Sequence, residues 1–130
     1  MKPQKQTAES GQAIVEFALV LPIALLILCA IVDFGWVFTH ELVLSTAVRN
    51  GARAGVIYAE ERDFETKVQN RVRSEADLCD ARKLRVTARY TGTDVIVSAD
   101  YDLQLLTPTA KLLFGAMNYH VKASCTMSTQ

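Results

Sequence analysis

The sequence predicts an α+β protein: a long N-terminal transmembrane helix, a second amphipathic helix and a small three-stranded antiparallel sheet. Three observations carry that prediction. Residues Phe17 to Val32 form an apolar run without a charge. Phe64, Val68, Val72 and Ala76 recur at helical spacing. From Leu84 onward the apolar period falls to two, the mark of half-buried strands.

Composition sets the outer bounds. The chain has 130 residues, with 14 basic and 14 acidic side chains. A balanced charge argues against a nucleic-acid-binding protein, because phosphate contacts draw on clustered Lys and Arg. The length leaves no room for a multipass transporter or for a large enzyme with a deep cleft. Once the apolar run is set aside, roughly 75 residues remain for an aqueous domain, a size at which a core alone is marginal.

The apolar run, extended through Phe38, is long enough for a membrane helix. Lys2 and Lys5 precede it, while Asp33 and Glu41 follow it. The positive-inside bias therefore places the N-terminus in the cytoplasm and the C-terminal domain outside. A secretory signal peptide fits less well, since no small-x-small site follows the run in a polar setting. Pro22 lacks a backbone donor and is expected to kink or loosen the helix.

Glu16 lies just inside the apolar run and calls for an explanation. Either it sits at the cytoplasmic interface and snorkels, or it serves a purpose within the membrane. The string around it is G-Q-A-I-V-E-F, from Gly11 to Phe17, after a short polar leader. A glycine, then four residues, then Glu and an aromatic resembles the prepilin-peptidase site of type IV pilin-like proteins. The wording A-I-V-E-F-A-L-V-L-P, from Ala13 to Pro22, resembles the TadE-like pseudopilins of tight-adherence (Flp) pilus systems. D-F-G at Asp33 to Gly35 and A-V-R-N-G-A-R-A-G at Ala47 to Gly55 extend the likeness. The leader departs from the pattern at Glu9 and Ser10, where a basic residue would stand before Gly11.

That resemblance implies cleavage between Gly11 and Gln12 by a prepilin peptidase, and an assembly role for Glu16 with Phe17 beside it. The physical logic agrees. A cut after Gly11 makes an ammonium at Gln12, and Glu16 lies four residues on, on the same helical face. A carboxylate near a membrane helix terminus is tolerable if it neutralises an ammonium; the family resemblance implies that a neighbouring subunit supplies it. Glu16 would then set axial register in a filament.

Helical spacing continues beyond the membrane. Ala47, Gly51 and Gly55 form a small-xxx-small ridge, which permits close helix packing. The ridge serves either this protein's own sheet or a partner subunit. Arg49 and Arg53 read as a solvated face.

In the outer domain Asp63 is the expected N-cap of the second helix. Leu84, Val86, Ala88 and Tyr90 form the inward face of a first strand. Val95, Val97, Ala99, Tyr101 and Leu103 do so in a second, joined to the first by a two-residue Gly92-Thr93 turn of type II′. That register sets Arg85 opposite Asp100 and Lys83 opposite Asp102. A short helix is expected at Thr109 to Phe114, stopped by Gly115. A third strand turns Met117, Tyr119, Val121, Ala123, Cys125 and Met127 inward. The organisation is thus a cleaved leader at 1–11, a transmembrane helix at 12–38, its continuation at 39–59 and an extracytoplasmic domain at 60–130.

Catalysis is not expected. His40 and His120 stand in unrelated settings and read as ordinary surface histidines. There is no metal-ligand spacing, no phosphate loop, and hence no cofactor or small-molecule substrate. Cys29 acts as a small apolar residue in the membrane run. Cys79 and Cys125 fall in a compartment that favours disulfides. They are candidate partners in a bridge that would close a loop of about 45 residues and stabilise by roughly 4 kcal/mol; two buried free thiols is the alternative.

The functional expectation is a minor pseudopilin of the bacterial inner membrane. It would be cut by a prepilin peptidase, meet other pilins and the membrane assembly platform, and take part in assembling or priming a tight-adherence pilus, with incorporation into the extracellular filament also open. The alternative is a bitopic membrane scaffold or adaptor; a third is a secreted binding module.

Overall fold

A computed structural model describes residues 4–115 and 118–129. Helix α1 spans Gln4–Tyr58, 55 residues. It passes through Gly11 and Pro22 without a break, so the proline does not end the helix. This is tolerated where neighbouring groups re-satisfy the freed carbonyl. The helix has two unlike halves. From Ile14 to Val32 its large apolar side chains are exposed all round, whereas Leu44, Ala47, Val48 and Ala52 are buried. A helix apolar on every face lacks a solvent side and needs a membrane or a partner to cover it.

The chain turns after Tyr58 and enters α2, Phe64–Glu75. Asp63 occupies the N-cap position as expected, but its carboxylate makes no capping bond; its carbonyl instead accepts from Lys67 N–H at 3.0 Å. The buried stripe is Phe64, Val68 and Val72, continued by Ala76 and Cys79. Its contacts explain the small residues of α1. A Cβ on Gly51 would collide with Val72 Cγ2, and one on Gly55 would lie 2.8 Å from Val95 Cγ1 and 3.2 Å from Val68 Cγ2. The ridge Ala47, Gly51 and Gly55 therefore packs within the chain, against α2 and the sheet. A polar clasp reinforces the pair: Asn50 donates to Glu75, which also pairs with Arg71 at 2.8 Å.

Three strands follow in the spatial order β1-β2-β3, all antiparallel. They are β1 (Leu84–Tyr90), β2 (Asp94–Gln104) and β3 (Asn118–Ser128). Val86 faces Ala99 and Ala88 faces Val97, the register that a two-residue turn demands. Gly92 has φ of 89°, as the first central position of a type II′ turn requires, and among the described residues no non-glycine has positive φ. Between β2 and β3 lies α3 (Thr109–Phe114), closed by Gly115 at φ of 69°, whose N–H bonds Lys111 O at 3.1 Å. Alternation holds through β1 and β2, where Val95, Val97, Ala99, Tyr101 and Leu103 are buried against both helices.

Three details differ from expectation. Met117, expected at the head of the third strand, lies outside the described residues. Tyr119 is 44% exposed rather than inward, with its hydroxyl 3.4 Å from Glu41 Oε1. Arg85 does stand opposite Asp100, yet the polar contacts of that outer face cross to β3: the Lys122–Asp100 ion pair at 4.0 Å, and His120 Nδ1 against Asp102 Oδ1. β2 is central, so its carboxylates have neighbours on both sides, and the pairing from sequence considered only one.

Candidate functional site

The first candidate region is the start of the exposed half of α1. Gly11, Gln12, Glu16 and Phe17 lie on consecutive turns and all are exposed. Gln12 Nε2 is 3.4 Å from Glu16 Oε1, so residues 12 and 16 do share a face. Among the described residues no cation pairs with Glu16. Its carboxylate stands at the edge of an apolar cylinder with one weak amide contact. A Cβ added to Gly11 would meet nothing within 4 Å. Nothing among the described residues demands glycine at this position.

The second region is where α1 leaves its exposed stretch. Asp33 is only 6% exposed. Its Oδ1 accepts from the Thr107 backbone N–H at 3.1 Å, and its Oδ2 accepts from the Thr107 hydroxyl. This carboxylate ties α1 to the loop that leads into α3. Two turns further on, His40 is 1% exposed. Its Nδ1 lies 2.9 Å from Trp36 O and its Nε2 3.2 Å from Leu78 O, while its ring stacks parallel on Tyr101 with centroids 5.8 Å apart. His40 is thus a core histidine, contrary to its reading as a surface residue. It joins α1, the turn after α2 and the sheet.

Sequence reasoning missed both contacts. Asp33 was read as a charge flanking the membrane run and as the head of the D-F-G string, not as a hydrogen-bonded anchor. The available signal was an acid directly after sixteen uncharged residues, Phe17 to Val32, since a carboxylate so placed requires donors.

The cysteines do not form the expected bridge. Cys29, Cys79 and Cys125 are all free thiols. Cys79 sits beside Asp80, whose N–H donates to Tyr101 Oη at 3.3 Å, and this ties that turn to the row Leu84–Tyr101–Val121. Cys125 belongs to the row of Ala88 and Val97, four positions along the strand, or about 13 Å. A bridge needs Cα atoms within about 7 Å. Burial pushes the Cys79 thiol above its ordinary range. Among the described residues no group of His, Cys, Asp or Glu is placed to hold a metal ion.

Residues 11–53 match the family model described as TadE-like protein. That stretch is similar to the TadE-like family. The match begins on Gly11 and ends on Arg53, so it covers Glu16, the Asp33 anchor, His40 and two of the three ridge residues, Ala47 and Gly51. It spans about a third of the chain and stops before α2, leaving the sheet outside it. The TadE-like family is associated with tight-adherence pilus systems, and the exposed apolar helix within the match is compatible with a single-pass membrane protein. No curated protein and no solved structure matches the chain.

Proposed function

We propose that this protein is a minor pseudopilin that helps assemble or prime a tight-adherence pilus. A prepilin peptidase cuts between Gly11 and Gln12 and leaves α1 as a single membrane span, cytoplasmic at Gln12. The domain built on α2 and the sheet then stands outside the membrane. The observation that carries the reading is the combination on one stretch of helix. A TadE-like match starts on a glycine that the fold does not need, and five residues later Glu16 has no cationic partner among the described residues at the head of an uncovered apolar helix.

The chemistry follows from the span. From Gly11 to Asp33 the helix rises about 33 Å at 1.5 Å per residue, close to the hydrocarbon thickness of roughly 30 Å. From Gly11 to Val32 Glu16 is the one charged side chain. Leaving it unpaired costs a few kcal/mol. The N-terminal ammonium of an adjacent pilin removes that cost only at one axial offset, so the pair selects register. The role is structural, and its partners are the peptidase, neighbouring pilins and the membrane platform.

N-terminal sequencing of the protein recovered from its native membrane tests this reading. A mature chain that begins at Gln12 supports it; one that begins at Met1 leaves a bitopic scaffold, and one that begins beyond Phe38 a secreted module.

A further inference from the structure

The loop between β2 and β3 is the part of the folded domain nearest to the uncovered half of α1. β2 descends along the helix: Tyr101 stacks on His40, and Thr107 reaches Asp33, two turns nearer the N-terminus. β3 climbs back, with Tyr119 beside Glu41. The intervening segment, which contains α3, therefore hangs at the level of Asp33, where the apolar run ends. Its surface is unlike that of a solvated loop. Leu112 is 79% exposed and Leu106 57% exposed, while Ala110 is buried against the rest of the fold. Between Asp102 and Lys122 the only Lys, Arg, Asp or Glu is Lys111. On the helix at this level Phe34 is 73% exposed. A mostly apolar groove of about 830 Å³, lined by Ile31, Phe34, Phe38, Leu105 and Tyr119, joins helix and loop; its two carboxylates are engaged, Asp33 by Thr107 and Glu41 by the Tyr119 hydroxyl.

From this geometry we propose that α3 and its flanking loop are a second membrane contact, seated in the outer interfacial layer of the bilayer that α1 crosses. Leu106 and Leu112 enter the acyl region, Lys111 lies at the lipid phosphates, and lipid tails fill the groove between Phe34 and Tyr119. The inference rests on the reading of α1 as a membrane span. Its occupant is lipid because the apolar surface is continuous with the exposed face of α1. The single charge of the segment has the sign that anionic headgroups attract, and an apolar stem with a charged tip suits the interface. The Asp33–Thr107 bonds fix the depth: they hold the start of the loop to the end of the span, so the head cannot lift away from the bilayer without breaking them.

The test places a tryptophan at the site and asks whether it touches lipid. Trp36→Phe provides a silent background, since the Trp36 Nε1 is buried without a hydrogen-bond partner and its loss leaves nothing unpaired. Leu112→Trp and, separately, Leu25→Trp are added to the full chain and reconstituted in vesicles of phosphatidylcholine and phosphatidylglycerol with brominated acyl chains. Leu112→Trp is expected to emit at blue-shifted wavelength and to lose most of its intensity relative to unbrominated vesicles, unchanged when the protein is diluted in lipid. Quenching of Leu25→Trp with unquenched, red-shifted emission from Leu112→Trp overturns the second contact and leaves the span intact. Blue-shifted but unquenched emission at Leu112 that fades on dilution assigns the patch to another protein copy and equally overturns it. If neither tryptophan is quenched, the span itself is wrong and the second contact falls with it.

Discussion

Val72 Cγ2 occupies the space that a side chain on Gly51 would fill, and with the approach of Val68 to Gly55 this contact sets how closely α2 lies on α1. Glycine in a helix interior costs about 1 kcal/mol relative to alanine. The close approach offsets that cost, because it lets Val68 and Val72 seal against the long helix with no exposure. The same glycine lies inside the TadE-like match while its partner lies outside it. The family segment thus carries the docking surface for the rest of the fold.

Gly51→Ala should therefore destabilise the head domain by about 1–3 kcal/mol, the usual cost of overpacking a filled core. Combining it with Val72→Ala should recover part of the loss. Gly35→Ala, where a Cβ would meet nothing within 4 Å, should be neutral or slightly stabilising. Denaturant melts of the detergent-solubilised chain, run as a double-mutant cycle, measure all three. Additive losses at Gly51 and Val72 would contradict the packing account.

His40 offers a second check on the core. Its ring meets two carbonyls, one in α1 and one at Leu78, where no helix ladder serves the oxygen. With the ring proton on Nε2, the tautomer that serves Leu78 O, His40→Phe keeps the stacking on Tyr101 but strips that carbonyl of its donor. An unsatisfied buried acceptor costs about 1–3 kcal/mol. The expected outcome is a loss of that size, with faster amide exchange around residues 76–80. Exchange unchanged there would mean that water replaces the ring nitrogen.

Much of the fold could be read from periodicity. The narrow stripe of α2, the hairpin with its Gly92 turn and the short helix before Gly115 all depend on neighbours in sequence, and local rules decide them. What escaped depends on contacts between distant residues. His40 has no local signature of burial; it is buried because the Leu78 carbonyl, thirty-eight residues away, arrives at its Nε2. Asp33 is held by Thr107 across seventy-four residues. The direction of the small-residue ridge was equally undecidable from α1 alone, since Val72 and Val95 belong to other elements. The Gly11–Glu16 motif was legible because its logic is local to one helix.

Glu16→Ala separates assembly from insertion. The residue is exposed and among the described residues touches only the Gln12 amide, so its loss should leave the fold and the membrane span unchanged. Cleavage after Gly11 should also persist. Pilus yield should fall, because the neighbouring ammonium loses its counter-charge, and Glu16→Asp should restore part of it. Unchanged pili in the alanine variant would return Glu16 to an interfacial role.

The thiols give a prediction with a definite pH direction. Cys79 is buried and Cys125 half-buried, and the two stand in different rows of the sheet. The native chain, handled without reductant, should therefore take up one label at each of them. Cys125 should react first. Burial raises the Cys79 thiol above its ordinary range, so little thiolate forms there in the folded state. In the unfolded chain the same thiol ionises near its usual value of about 8.5. Between that value and the raised folded one, the unfolded state holds fewer protons and stability falls as pH rises. The contribution is whole below the ordinary thiol range and is lost as pH climbs through the folded value. Cys79→Ala should flatten this alkaline decline, and Cys125→Ala should leave it in place. Intact mass after alkylation counts the thiols, and melts taken across the alkaline range read the slope. An unlabelled Cys79–Cys125 pair in the native protein would overturn the register argument that separates them.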